Sequence, residues 1–198
     1  MSDHYFTEHP KSQFKMFKIP VSVRGVHLQI YSATGIFSNK KLDFGTKVLI
    51  ENMIIKKNSK VLDLGCGYGI IGIVYAILSP SSHIFLVDIN ERAVFITKKN
   101  VEMLRLKNCT VLQSNLFEKL QNEFFNIILT NPPITAGLAL CFKLIEESYK
   151  HLNPDGIFQF VARHKKGGRR LMEKTIEIFG NCEVITKKGG FWVYVAKK

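Results

Sequence analysis

Long apolar runs are missing from this 198-residue chain. None approaches the eighteen or so residues that a membrane-spanning helix needs. The opening Met1-Ser2-Asp3-His4-Tyr5 also lacks the apolar core of a signal peptide. A cytoplasmic protein without a membrane partner is the expectation. Cysteine is sparse too. Cys66, Cys109, Cys141 and Cys182 lie far apart with no Cys-x-x-Cys pair, which suits neither a zinc site nor a disulfide framework. Reduced thiols and no metal are expected. Acidic residues number 16 against 28 lysines and arginines, a net charge of +12. A small domain stays soluble with much less, so the surplus points to a polyanionic partner, usually nucleic acid. A generally lysine-rich surface is the alternative.

The length allows one well-buried domain. From residue 60 onward, short apolar strands alternate with helical patterns, as in a parallel sheet with crossover helices. Strands are expected over residues 60–64, 83–88, 109–113, 125–130 and 157–162. Helices are expected over 70–78, 91–104 and 138–151, with a last one opened by Gly167-Gly168 and running to about 179. Asn153-Pro154-Asp155-Gly156 reads as the turn into the fifth strand. Two final strands, near 182–186 and 191–196, are joined by Lys187-Lys188-Gly189-Gly190 and form an antiparallel hairpin. The expected sheet is therefore seven-stranded and mixed. Residues 19–31 alternate apolar and polar around Arg24-Gly25, which predicts a small β-hairpin. Asp43-Phe44-Gly45-Thr46 then leads into a helix over 47–55. Residues 1–59 are taken as an extension packed on a core of residues 60–198.

Between the first strand and the first core helix lies Asp63-Leu64-Gly65-Cys66-Gly67-Tyr68-Gly69. Glycines here let the backbone turn sharply and approach a ligand at the helix N-terminus. The dinucleotide-binding pattern needs Gly-x-Gly-x-x-Gly, with its third glycine at position 70. Position 70 is Ile, and the glycine falls at 69. Asp88 closes the second strand, where a carboxylate with two acceptor oxygens can take both hydroxyls of a ribose. The alternative is a carboxylate that merely caps the helix starting near Glu91.

The fourth strand runs straight into Asn131-Pro132-Pro133-Ile134. Two acceptors, the Asn131 side-chain oxygen and the Pro132 carbonyl, can engage the N–H bonds of a planar amino or amide nitrogen. That favours a more pyramidal nitrogen and aims its lone pair. The prolines fix φ and add no competing N–H donor. A plain turn after a strand is the alternative.

Taken together, these segments resemble the MTS-domain class I methyltransferases related to ribosomal RNA small-subunit methyltransferase C. The glycine loop resembles their strand-Asp-x-Gly-x-Gly-x-Gly motif. His4-Tyr5-Phe6 with Pro10 resembles the family's N-terminal signature. Gly35-Ile36-Phe37-Ser38 and Leu42-Asp43-Phe44-Gly45-Thr46 resemble the segment before the loop, and Gly180-Asn181-Cys182 with Lys188-Gly189-Gly190-Phe191 its closing hairpin. The resemblance implies a Rossmann-like α/β fold and S-adenosylmethionine as cofactor.

In those terms Asp63 supports the loop, while Gly65, Cys66, Gly67 and Gly69 face the amino-acid part of the cofactor. Thr46 contacts its methionine end, Asp88 its ribose, Ile89 its adenine ring, and Asn115-Leu116 the adenine edge. Asn131, Pro132, Pro133 and Ile134 form the catalytic segment, with Ile134 where the family has an aromatic. The implied reaction is methylation of guanine N2 in ribosomal RNA, by a stand-alone, archaeal-type, single-domain member. Arg163, Lys165, Lys166, Arg169 and Arg170 follow the fifth strand and are the expected phosphate contacts. A target base must be unpaired or flipped out to reach such a site. Rival readings are a protein glutamine N5-methyltransferase, a DNA adenine methyltransferase, and a catalytically silent RNA-binding or ribosome-assembly factor. The oligomeric state is left open.

Overall fold

Apolar strands buried on both faces assemble the centre of the sheet. In the computed structural model, which describes residues 7–37 and 40–198, seven strands lie in the order β5-β4-β3-β6-β7-β9-β8. The expected signature residues His4, Tyr5, Phe6 and Ser38 lie outside the described residues. The strands are β3 (Lys60–Leu64), β4 (His83–Asp88), β5 (Cys109–Gln113), β6 (Phe125–Thr130), β7 (Leu152–Arg163), β8 (Glu183–Lys188) and β9 (Phe191–Lys197). β3 to β7 pair in parallel, and β9 runs antiparallel between β7 and β8. This is the mixed, Rossmann-like sheet with a C-terminal hairpin that the sequence predicts.

Helices cover both faces. α1 (Phe44–Asn52), α2 (Ile70–Leu78) and α3 (Glu91–Met103) pack on one side. α4 (Leu138–Lys150) and α5 (Arg169–Phe179) pack on the other. A two-stranded sheet, β1 (Met16–Val23) and β2 (Val26–Ala33), turns at Arg24 and Gly25, both with positive φ, as a tight hairpin requires. Its apolar residues share one core with α1, α2 and α3. Asn100 of α3 clamps it there: Oδ1 accepts from Tyr31 N at 2.7 Å, and Nδ2 donates to the carbonyls of Tyr31 and Tyr68.

Both ends of α1 and the start of β7 differ from expectation. α1 begins at Phe44, not 47, because Asp43 caps it: its Oδ2 accepts from Thr46 N at 2.8 Å. It ends at Asn52, not 55. There Arg24 donates to the carbonyls of Ile50 and Met53, taking up acceptors the helix end leaves open. β7 begins at Leu152, not 157. Phe125 pairs with Leu152 and Ile127 with Ile157, so residues 153–156 form a bulge in the strand, not a turn before it. Asp155, at φ 60°, donates its N–H to Lys198 O, and Gly156 O accepts from Lys198 N. Bonds to the last residue, far away in sequence, hold the bulge. Among the described residues no helix is long and apolar enough to cross a membrane.

The fully buried Gln159 of β7 ties α1 to the sheet. Its Oε1 accepts from Ile54 N and its Nε2 donates to Asn52 O, both at 2.9 Å. Replacing it with leucine leaves both backbone groups without that partner, a cost of about 1–3 kcal/mol. Gln159→Leu is therefore expected to lower the melting temperature by about 2–4 °C for each kcal/mol lost. An unchanged thermal melt would remove Gln159 from this role.

Candidate active site

The parallel strands all end at one edge of the sheet, where open α/β folds place their ligands. The segments after β3, β4, β5, β6 and β7 meet there around a cleft of about 570 Å³. Its wall starts at the glycine loop. Gly65 N and Cys66 N both donate to Val87 O, at 2.8 and 3.0 Å, and pin the loop to β4. Gly65 and Gly67 have φ of 74° and 60°. A Cβ on Gly65 would meet nothing within 4 Å, and one on Gly67 only Ile36 at 3.9 Å. Their backbones face open cleft.

Gly69, expected on this wall, lies behind it, and so does Asp63. Gly69 is buried, and a Cβ there would meet Thr97 Cγ2 at 2.8 Å. Its missing side chain serves the packing of α2 on α3. Asp63 is fully buried within β3 and does not line the cleft. Its Oδ2 accepts from Gly72 N at 2.9 Å, while Oδ1 has no hydrogen-bond partner among the described residues. Asp63 holds helix α2 to the strand beneath the loop. Burial pushes its carboxyl up to about 7, and the nearby Asp88 charge adds to the rise. Cys66 lines the cleft with a buried thiol whose pKa is raised by burial and by both carboxylates. Such a thiol is inert at neutral pH.

Asp88 lines the cleft beside Ile89 and Ala93. Its Oδ2 accepts from Gly67 N at 2.8 Å and its Oδ1 from Asn90 N at 2.9 Å. It does not cap α3. Asn90 does, with Oδ1 accepting from Arg92 N and Ala93 N. Burial lifts the Asp88 carboxyl to about 6, against backbone N–H groups that lower it. Asn115 and Leu116 lie on the same wall. Asn115 Nδ2 donates to Glu118 at 2.7 Å, which leaves its amide oxygen as the side chain's acceptor. Leu116 sits at φ 48°, a left-handed conformation that L side chains seldom adopt.

Opposite stand Asn131, Pro132, Pro133 and Ile134. Ile134 N donates to Pro132 O at 2.9 Å, and Pro133 has φ −78° and ψ 70°. These are the features of an inverse γ-turn. It fixes the Pro132 carbonyl and leaves one of its two lone pairs. Asn131 Nδ2 donates to Thr46 Oγ1 at 2.9 Å and to Asp43 Oδ2 at 3.2 Å. Gly167, at φ 99°, lies so close to Ile134 that a Cβ there would meet Cγ2 at 2.8 Å.

The cations divide. Arg163 and Lys166 line the cleft, whereas Lys165, Arg169 and Arg170 are exposed outside it. Arg169 is bound to Glu173 at 2.9 Å. α5 starts at Arg169, not at Gly167-Gly168, because a separate turn over 164–168 precedes it. His164 holds that turn: it stacks on Trp192 with centroids 3.6 Å apart and bonds Tyr194 Oη at 2.9 Å.

Sequence reading missed Asp43, Tyr68 and Phe191, all on the cleft wall. Asp43 carries a local signal, since Asp-x-x-Thr is a cap pattern, but nothing local ties it to Asn131, 88 positions away. Phe191 reaches the site only because β9 pairs with β7, which sets it under the Arg163 guanidinium at 4.8 Å. Among the described residues no group of His, Cys, Asp or Glu is placed to hold a metal ion.

The family profile described as "Methyltransferase small domain" matches residues 27–195. The chain belongs to that family. It is 35% identical over 200 residues to the uncharacterized protein YbxB of Bacillus subtilis, covering all of both chains. That relative is bacterial and is matched over its whole length. It is also 35% identical to ribosomal RNA small subunit methyltransferase C of Hamiltonella defensa, over 85% of this chain and 50% of that one. The chain therefore spans about half the length of that relative. A solved structure, the T. thermophilus 16S rRNA guanine-N2 methyltransferase in complex with AdoMet and guanosine, superposes with a TM-score of 0.82 at 24% identity. The match covers 96% of this chain and 52% of that one. At that identity the likeness speaks for the fold.

Asp63 gives a pH test of the buried carboxyl. Its folded value of about 7 lies above the ordinary 3.8. As pH rises from about 4 to about 7, the unfolded chain releases a proton that the fold retains, so stability falls, by up to about 1.4 kcal/mol per pH unit. Below that window both states are protonated and nothing is lost. Asp63→Asn is expected to flatten the decline in melting temperature between pH 5 and pH 8. An identical decline in wild type and variant would place the titration elsewhere.

Proposed function

We propose that this member of the methyltransferase small-domain family transfers a methyl group from S-adenosylmethionine to the exocyclic N2 of a guanine in ribosomal or other structured RNA. The observation that carries the reading is the shared cleft: Asn131 and Pro132 on one wall, the bare Gly65–Gly67 backbone and Asp88 on the other. The residues fit the cofactor. Gly65 and Gly67 leave room for its amino-acid part. Each Asp88 oxygen keeps lone-pair capacity for a ribose hydroxyl. Ile89 and Leu116 offer apolar cover for adenine, and the Asn115 oxygen suits its amino group. The cations Arg163 and Lys166 at the cleft favour a phosphate-bearing substrate, as do the relatives named for ribosomal RNA.

When bound, S-adenosylmethionine supplies a methyl carbon on a sulfonium, open to in-line attack. The chain's part is to present the nucleophile. Asn131 Oδ1 and the Pro132 carbonyl accept the two N–H bonds of the amino group and turn its lone pair toward that carbon. Orientation of this kind contributes up to about 7–11 kcal/mol. Transfer of the methyl group from sulfur to that nitrogen would leave the nitrogen with one surplus proton, which would pass to water, so the chain needs no strong base. Ile134 and Phe191 are among the apolar side chains that line the cleft. Arg163 lies over the Phe191 ring.

Asn131→Ala is expected to abolish transfer while leaving cofactor affinity nearly unchanged, measured with labelled S-adenosylmethionine and by calorimetry. Turnover that persists with cofactor binding lost would reverse the assignment. Offering the wild type ribosomal subunits, bulk tRNA and a release factor decides the substrate. Label in RNA, traced to N2-methylguanosine after digestion, supports the reading. Label only in protein supports a glutamine methyltransferase, and silence in all three an assembly factor.

Asp88 adds a pH signature. Its carboxyl, lifted to about 6, offers both oxygens as full acceptors to the two ribose hydroxyls only when ionised. Cofactor affinity is therefore expected to fall as pH drops below about 6, and Asp88→Asn to weaken binding at pH 8. A pH-independent wild-type affinity between 5 and 8 would dissociate Asp88 from the ribose.

A further inference from the structure

We propose that Asp43 and Thr46 are positioning residues that hold the Asn131 amide by its nitrogen, so that its oxygen faces the amino group to be methylated. The inference rests on the site reading above and adds what determines the acceptor character of the clamp. An asparagine amide has one accepting and one donating end, and its χ2 torsion is broad and roughly two-fold. Covalent geometry therefore does not choose which end faces the cleft. A half-turn would replace the acceptor with an N–H pair and repel the substrate's own N–H bonds.

The choice is made from behind. Both hydrogens of Asn131 Nδ2 have acceptors, Thr46 Oγ1 at 2.9 Å and Asp43 Oδ2 at 3.2 Å. A hydroxyl alone would tolerate the flipped amide, because it can rotate and donate. A carboxylate only accepts, so an amide oxygen turned toward Asp43 meets negative charge. Asp43 thus excludes the wrong orientation and Thr46 completes the right one. Asp43 is itself fixed, because the same Oδ2 accepts from Thr46 N at 2.8 Å as the cap of α1. The first turn of α1 also lies close against the hairpin strand: a Cβ on Gly45 would meet the Phe191 ring at 2.5 Å.

Two consequences follow. Bonds from the amide N–H groups to a carboxylate polarise the amide and strengthen its oxygen as an acceptor. Thr46, which the family resemblance assigns to the methionine end of the cofactor, gives one of its two oxygen lone pairs to Asn131 and keeps the other together with its hydroxyl hydrogen. With Asn131 Oδ1 and the Pro132 carbonyl both accepting, the site selects a nitrogen with two N–H bonds over a hydroxyl.

Two measurements test this. In turnover on the RNA that the wild type methylates, Asp43→Ser combined with Thr46→Val, which leaves nothing behind the amide to tell its two ends apart, is expected to lower kcat about 100-fold with KM near wild type. The conservative Thr46→Ser alone should keep most of the rate. A kcat of the double variant within twofold of wild type, or a loss that tracks cofactor affinity, would overturn the proposal. The second measurement needs no substrate. In ¹⁵N-labelled protein, the Asn131 side-chain amide pair, identified by its loss in Asn131→Ala, should be protected from solvent exchange. Asp43→Ser combined with Thr46→Val should remove that protection. Free-amide exchange in the wild type would sink the proposal even if no RNA is methylated, an outcome that would count against the substrate reading alone.

Discussion

The passage of the chain from β3 into α2 within residues 65–69 is the constraint on which the rest of the structure depends. A parallel strand must hand over to a helix without covering the edge where the strands end. Three positive-φ glycines make the bend, and Val87 O takes two of its N–H groups. The loop stays against β4, so Asp88 at the end of that strand can accept from Gly67 N. Below it, Gly72 lets α2 approach so closely that a Cβ would meet Leu86 at 2.7 Å. Helix, strand and loop are then one rigid wall. A cleft of useful size exists because that wall does not collapse onto the segment after β6.

The opposite wall is held by different means. Where the first is shaped by absent side chains, the second is shaped by hydrogen bonds from elements distant in sequence. The γ-turn at Pro132–Ile134 is local, but the Asn131 amide is anchored to the start of α1. The α1 helix is in turn tied at its far end by Arg24 from the hairpin and Gln159 from β7. The N-terminal elements are thus joined to the acceptor side of the site. The charges follow the same division. Asp88 lies on the glycine-loop side, and Arg163 and Lys166 lie on the segment after β7.

Much of the fold was legible because its signals are local. An apolar run of strand length, a helical period and a Gly-Gly link each act over a few residues, and the strands from 60 to 130 fall where these place them. The departures share a cause. α1 starts earlier than its helical period suggests because Asp43 caps it. The bulge over 153–156 looked like a turn because Asn-Pro-Asp-Gly is turn chemistry, and only Lys198 shows that the strand runs through it. Gly69 reads as facing the cofactor because a motif is linear. In three dimensions it faces α3, while Asp63 holds α2 beneath the loop.

By itself, the sequence determined the order of elements, the glycine loop, the Asp88 carboxylate and the Asn-Pro-Pro turn, because each depends on residue type within a short span. The tertiary structure decided which of these share a cleft and which way the Asn131 amide faces. It also decided which cations reach the opening, and that Phe191 lies beneath Arg163. Those outcomes depend on side chains brought together across tens of residues by sheet order and helix packing, and no local pattern carries that information.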